Sequence, residues 1–558
     1  MKIKDLAINM LRLFKDPFKI LNFSALCVSI AMTPWWNSDS LIIPKLMILF
    51  GSSSYLIIVT FSIVRRVEFT RFIKLLTLTI ALILIQLLIV IISTDAPLEQ
   101  QIYGRTGRGL GLLTQISLLV ILVVAYYFVS KSNLNIVLIF LIVAVLVSTF
   151  YSLMQRFNLD FYDWTTRTNG IIGTLGNPNF QASFAAMALV PAMIYFGFKG
   201  RNKFYSLLLL LPLISVIYFA QSTQGYVSGL ISILVLLLIY FWYKNKNLFK
   251  IIFLFSIVSF FILVQGILGK GFLATLLYKR SIQSRGEMLR NSFSIAKDNP
   301  FVGVGLDSLG DRYLMYKDQR TIKGVNEFTD HAHNSLVNNA ATGGFPLAIL
   351  HLFLIILTLY AALRIILTLR SFDKNVTAII CAWVTYLAQS MISPETITLL
   401  TWNSIFMGVI CGLYVNRFTI LLAERKVDKK INPLAKPFAV FMLFISVLIT
   451  YPYFNVDKMQ QDSAELGNVQ LAMKSATSFP EATIRYSRIG NALLDSNLPA
   501  QALEVARFAV EFNPNAPSAW GLILVNNLAT KDERELALIQ LKRLDPYNPD
   551  LSKIIIPD

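Results

Sequence analysis

The sequence predicts an all-α polytopic integral membrane protein that ends in a small water-soluble helical domain. Three observations carry this. Of 558 residues, 55% are apolar and only 15% are charged, against about 25% charged in an average soluble domain. Apolar runs of roughly 20 residues recur from Phe18 to Pro452, and each has the length of one helix across a hydrocarbon core about 30 Å thick. After Pro452 the composition turns polar, while apolar residues keep a helical spacing.

Taken in order, about 12 to 13 spans are predicted. They lie near 18–34, 41–63, 73–93, 109–130, 134–154, 180–198, 204–220, 224–243, 250–269, 334–362, 376–393, 397–416 and 434–452. In lipid every backbone polar group must be satisfied within the segment, so these runs are helices. Lys and Arg gather in cytoplasmic loops. Lys2, Lys4, Arg12, Lys15 and Lys19 put the N-terminus in the cytoplasm, and the first helix is expected to be retained as an anchor. The even-numbered connections are basic, as at Arg65, Arg66, Arg71 and Lys74 or at Lys244, Lys246 and Lys250. The short odd-numbered ones carry only Lys45, Arg105, Arg108, Arg156 and Arg167. Residues 1–452 are therefore read as the transmembrane domain. Its long loop at 270–333 and the domain at 453–558 both lie outside the cytoplasm.

In the C-terminal domain, Asn513-Pro514 and Asp545-Pro546 recur after 32 residues (545 minus 513). That is near the period of tetratricopeptide repeats, about 34 residues. A repeat-like domain and a plain helical hairpin domain both fit, and either is a packing or protein-binding module.

The net charge of +18 is read as topology signal. No basic helix with interleaved aromatics is present, which argues against a nucleic-acid partner. Cys27, Cys381 and Cys411 all sit in apolar runs. They form neither a disulfide framework nor a metal-spaced set.

Polar chemistry concentrates at one place. Asp330, His331, His333 and Asn334 cluster at the outer start of a span. A histidine near its ordinary pKa of about 6.5 can take a proton at neutral pH, and a neighbouring carboxylate can orient it. Metal binding competes, but positions i and i+2 do not share a helix face. His351, alone inside the span, reads as structural. Before the cluster come Arg280 and Arg285, then the amphipathic stretch GEMLRNSFSIAKDNP and the glycine-bearing turn Pro300–Gly305. Arginine forks suit phosphate oxygens. Arg285 and Arg280 are expected to point toward the space beside His333, over a cavity at the outer leaflet.

The stretch RSIQSRGEMLRNSFSIAKDNPFVGVGLDSLGDRY followed by DHAHNSLVNNAATGGFPL resembles the signature loop of the O-antigen ligase, O-antigen polymerase and protein O-oligosaccharyltransferase superfamily. Two further segments fit it, Gly173 to Asn179 and Gln100 to Leu113. The resemblance implies a GT-C-like fold in a bacterial cytoplasmic (inner) membrane. It also implies a glycosyltransferase that moves a glycan from undecaprenyl diphosphate to an acceptor hydroxyl without a metal ion or other cofactor. The acceptor would be lipid A core, another glycan or a protein. His333 and Arg285 resemble the family's catalytic pair. Arg280, Asp330, Asn334, His331, Asn177, Asn179 and Gln224 are the candidate substrate-binding residues. Gln224 stands where many ligases carry an arginine, so either Arg167 or Arg280 substitutes or the member has drifted. Two other readings stay open: a polysaccharide transporter or flippase, and a non-catalytic membrane scaffold. The partners expected are the lipid-linked donor, the acceptor, membrane lipids and a protein held by the C-terminal domain.

Overall fold

The computed structural model describes residues 16–63, 70–164, 171–197, 203–277, 280–317, 328–419 and 434–556. The chain is an all-α polytopic membrane protein. Apart from single turns, its helices are α1 (Pro17–Ile30), α2 (Ile42–Ile63), α3 (Arg71–Ser93), α4 (Leu98–Tyr103), α5 (Leu112–Phe128), α6 (Leu134–Arg156), α7 (Pro178–Gly197), α8 (Lys203–Phe219), α9 (Thr223–Lys244) and α10 (Lys246–Ile267). After them come α11 (Arg280–Asp298), α12 (Ser335–Thr368), α13 (Lys374–Ser390), α14 (Ile397–Thr419) and α15 (Ala435–Leu466). The chain ends in α16 (Val469–Thr477), α17 (Thr483–Asp495), α18 (Pro499–Phe512), α19 (Pro517–Val525) and α20 (Lys531–Leu544).

Each of the thirteen apolar runs is one helix. Among the described residues, eight helices are long and apolar enough to cross a membrane, and three more are shorter and apolar. Polar caps set several starts. Thr70 accepts from the Ile73 amide, Asp373 from Val376 and Asn334 from Val337, each satisfying a donor that has no partner inside the helix. α14 is largely interior and packs on α5. A Cβ at Gly408 would lie 2.3 Å from the Leu122 carbonyl oxygen, and one at Gly412 would lie 2.5 Å from that of Tyr126. This Gly-x-x-x-Gly spacing lets two backbones approach where lipid gives no hydrophobic drive to association. α10 is the opposite case: of its residues only Gly266 is buried, and its phenylalanines face outward.

The connections sort to two ends of the bundle. At one end the odd-numbered connections meet. The Asp39 amide donates to Asp457, the Gly107 amide to Asp39, and Asn334 Nδ2 to the Met391 carbonyl. At the other end the even-numbered ones meet, where Lys131 pairs with Asp373 at 3.0 Å and Asn375 bonds Asn135 at 2.9 Å. α15 continues through Pro452 to Leu466, so the change to polar composition falls inside a helix. α16–α20 then form a unit with its own apolar core, including Tyr486, Leu503, Ala506, Trp520 and Leu544. α18 and α20 end at Asn513 and Asp545. The unit docks on the membrane region through the first of these turns: Asn513 Nδ2 donates to Asp311 at 3.0 Å, and Asn515 Nδ2 to Asp95 at 3.2 Å.

Candidate functional site

The histidine turn is built by the loop before α12 and by the kink within that helix. The turn after α11, Pro300 to Gly305, lies backbone to backbone against α12. Val304 and Gly305 amides donate to the Ala341 and Thr342 carbonyls at 2.9 and 3.2 Å, and the Phe345 amide donates to Pro300 at 2.8 Å. α12 breaks there at Gly344 (φ 78°, ψ 167°). A Cβ on Gly344 would lie 2.3 Å from the Phe301 carbonyl, so both the dihedral and the contact require glycine. Gln86 of α3 locks the junction by donating to the Phe301 and Gly343 carbonyls. These glycines let backbone meet backbone, which seats the start of α12.

Asn334 caps α12 and donates to Met391, so both ends of its amide are engaged in structure. His333 precedes it at φ 54°, a left-handed conformation that few non-glycine residues adopt. Its amide donates to His331 Nδ1 at 3.0 Å. That bond makes Nδ1 the acceptor in neutral His331 and places the ring proton on Nε2. His331 Nε2 and His333 Nδ1 are buried and have no hydrogen-bond partner among the described residues.

Asp330 was expected to orient a histidine. It is held instead by Arg108, whose Nε and Nη2 donate to the two carboxylate oxygens at 3.0 and 2.7 Å. Burial pushes the Asp330 carboxyl up, but the paired Arg108 overrides this and holds it well below the ordinary carboxylate range. Arg105, one turn earlier in the same glycine-rich segment, pairs with Asp311 at 2.6 Å. Asp307 accepts the Arg105 and Leu110 amides at 2.7 and 3.0 Å, and burial raises its pKa to about 6. The segment around Arg105 and Arg108 is thus fastened to the long loop between α10 and α12 at three carboxylates.

His333 does not keep the ordinary histidine value. Burial first, then the positive charges of Arg285 and Arg108, push its pKa down to about 4. His331 is also lowered well below the ordinary histidine value, by burial first and then by Arg108 and His333. Both rings are neutral at pH 7. Arg285, half-buried on α11, is near enough for its charge to act on His333. Arg280 begins α11 and is exposed. Arg285, Arg108, Asp330, His331 and His333 therefore form one constellation.

The remaining candidates lie elsewhere. Asn177 Oδ1 accepts the Asn179 amide at 2.8 Å, and Asn179 Oδ1 accepts from Ser222 at 2.7 Å. Gln224 is buried on α9, donates to Ser183 at 3.4 Å, and has an unpartnered Oε1. This second group joins the starts of α7 and α9 and shares no hydrogen bond with the histidine turn among the described residues. Arg167 lies outside the described residues. Among them no three His, Cys, Asp or Glu side chains are grouped to hold a metal ion. His351 Nδ1 bonds the Leu347 carbonyl within its own helix.

Sequence reasoning missed Arg108 as the partner of Asp330. The available signal was the Arg105-Thr106-Gly107-Arg108-Gly109 run, two arginines in a segment whose glycines permit a tight fold.

No curated protein matches the chain. Residues 206–352 match the family model described as O-antigen ligase. That span reaches from α8 through Arg285 and the histidine turn into α12, and by it the chain resembles the O-antigen ligase superfamily.

Proposed function

We propose that this protein transfers a glycan from an undecaprenyl-diphosphate carrier to an acceptor hydroxyl during surface polysaccharide assembly, with His333 as general base and Arg285 as the diphosphate-binding group. The family match supports a membrane glycosyltransferase-type enzyme at this coarse level. One observation supports the residue roles: a neutral imidazole whose buried Nδ1 has no partner among the described residues lies within the field of Arg285.

In this reading the acceptor oxygen attacks the anomeric carbon and its proton passes to His333 Nδ1. The bond from that carbon to the diphosphate breaks, and its electron pair stays on the diphosphate oxygen. The leaving group gains negative charge, which Arg285 stabilises in a site partly shielded from water. A bound diphosphate also offsets the positive field that depresses His333, raising its pKa toward the value a general base needs. The site and the C-terminal unit lie outside a bacterial cytoplasmic membrane and the N-terminus lies inside; the grouping of odd-numbered connections at one end supports this arrangement. The acceptor is lipid A core, another glycan or a protein, and α16–α20 act as a repeat-like module for its recognition.

Disrupting the gene in its native cell and restoring it as wild type, His333→Ala or Arg285→Ala tests the reading. Wild type restores the mature surface glycan. Each variant inserts in the membrane yet leaves the lipid-linked donor to accumulate. Normal surface glycan without accumulated donor in either variant contradicts the assignment.

A further inference from the structure

A cleft of about 410 Å3 separates the histidine-turn end of the membrane region from the C-terminal helices. Its floor holds Arg105 and Asp330, one wall carries Phe328, and the other carries Ile484 and Asn491 of α17 with Ser518 at the start of α19. Phe328 is 49% exposed, and the Arg105 guanidinium lies 5.6 Å from its ring centre on the floor side. The far wall is fixed: Ser487 donates to Ser518 at 2.7 Å, tying α17 to α19. Arg488 reaches from the same helix face to Ser38 at 3.2 Å, tying α17 to the α1–α2 connection.

We propose that this cleft is the acceptor subsite for a glycan chain, which rests on the transfer reading above. A pyranose ring has a C–H face that packs on an aromatic ring and a rim of hydroxyls that needs short polar partners. The cleft supplies both in one place: Phe328 and Ile484 give apolar area, and Asn491, Ser518 and Arg488 give hydrogen-bonding groups at the rim. Its volume falls in the range of small-ligand sites, about 300–1,000 Å3, room for a few sugars rather than a folded partner. An extended polypeptide would gain most from a strand edge, and the described residues offer only helices, turns and loops. Asp330 of the floor lies three residues before His333, and in this proposal a chain in the cleft runs past it to bring its terminal hydroxyl to the base.

Binding is measured without turnover, on the full-length protein in nanodiscs. The probes are short oligosaccharides released by mild acid from the native cell's surface glycan and lipid A core, alongside a pool of Ser/Thr-rich 12-residue peptides, and the readout is saturation-transfer NMR. Wild type binds an oligosaccharide pool. Phe328→Ala weakens it about tenfold, the loss of one aromatic contact, and Asn491→Trp, which fills the cleft from an exposed helix position, abolishes it. The readout involves no transfer, so failure of the base assignment is seen separately, in transfer rates. Absent oligosaccharide binding, binding unchanged by both cleft variants, or preference for the peptide pool would overturn the proposal.

Discussion

Arg108 grips Asp330 with two hydrogen bonds, at 2.7 and 3.0 Å, across 222 residues of sequence. The pair is about four-fifths buried on both sides. The carboxylate is engaged by the arginine, while His333, kept neutral by burial first and then by Arg285 and Arg108, has no partner at Nδ1 among the described residues.

Removing one partner of such a pair leaves a charge in a poor solvent. Arg108→Ala is expected to cost about 3 kcal/mol of stability and to abolish transfer. Arg108→Ala combined with Asp330→Ala recovers most of that stability without recovering activity. Thermal melts of detergent-solubilised protein check this, and equal melting temperatures for wild type and Arg108→Ala would contradict it.

The backbone junction gives a sharper contrast. Gly344→Ala forces a Cβ into the Phe301 carbonyl at a dihedral few side chains adopt, and a loss of several kcal/mol is expected. Gly286→Ala, beside Arg285, meets nothing nearer than 3.8 Å and lies in a helix, so it is neutral or stabilising by up to about 1 kcal/mol. Yield and melting temperature of the two variants, measured side by side, decide it.

Much of this architecture could be read from residue patterns because lipid imposes a simple rule. A run such as Arg71–Ser93 or Ile397–Thr419 has one way to satisfy its backbone, so its apolar length identified it. The end of α15 was less legible: polarity changes after Pro452, but the helix continues because its outer turns pack on the 31–41 connection through Asp457. Among site residues, Asp330, His331 and His333 stood out by being polar and adjacent. Arg108 did not, since its partner is set by tertiary folding. The glycines of Pro300–Gly305 and the Gly343-Gly344 pair were visible as turn residues, but their purpose, two backbones in contact, needs both segments in view. Histidine acidity was misread for the same reason, because burial and the Arg108 field come from distant segments.

The pH profile has a definite sign. A general base acts deprotonated, and in the ligand-free protein His333 titrates at about 4. The acid limb of kcat/KM therefore falls near pH 4, and the rate is level from there to neutrality. The limb in kcat lies higher, because the bound diphosphate opposes Arg285 and Arg108. Replacing Arg285 by Ala removes one cause of the depression and moves the kcat/KM limb upward in whatever activity remains. A limb at about 6.5 in the wild-type kcat/KM profile would show that neither burial nor these charges depress the imidazole.

The basic connections predict a sidedness. Reporter fusions at Lys199 and at Asn497 are expected in opposite compartments, with Lys199 cytoplasmic. Equal compartments would contradict the count of spans or their orientation.

The central claim is proton removal by His333 opposite a diphosphate held by Arg285. Its most direct measurement is single-turnover transfer by purified protein in liposomes, supplied with the cell's undecaprenyl-diphosphate-linked glycan and acceptor. Loss of a general base costs about 100- to 10,000-fold, and loss of a charge-stabilising donor costs about 100- to 1,000-fold. His333→Ala and Arg285→Ala should each fall in these ranges with folding and membrane insertion intact. Transfer by His333→Ala at the wild-type rate would contradict the account.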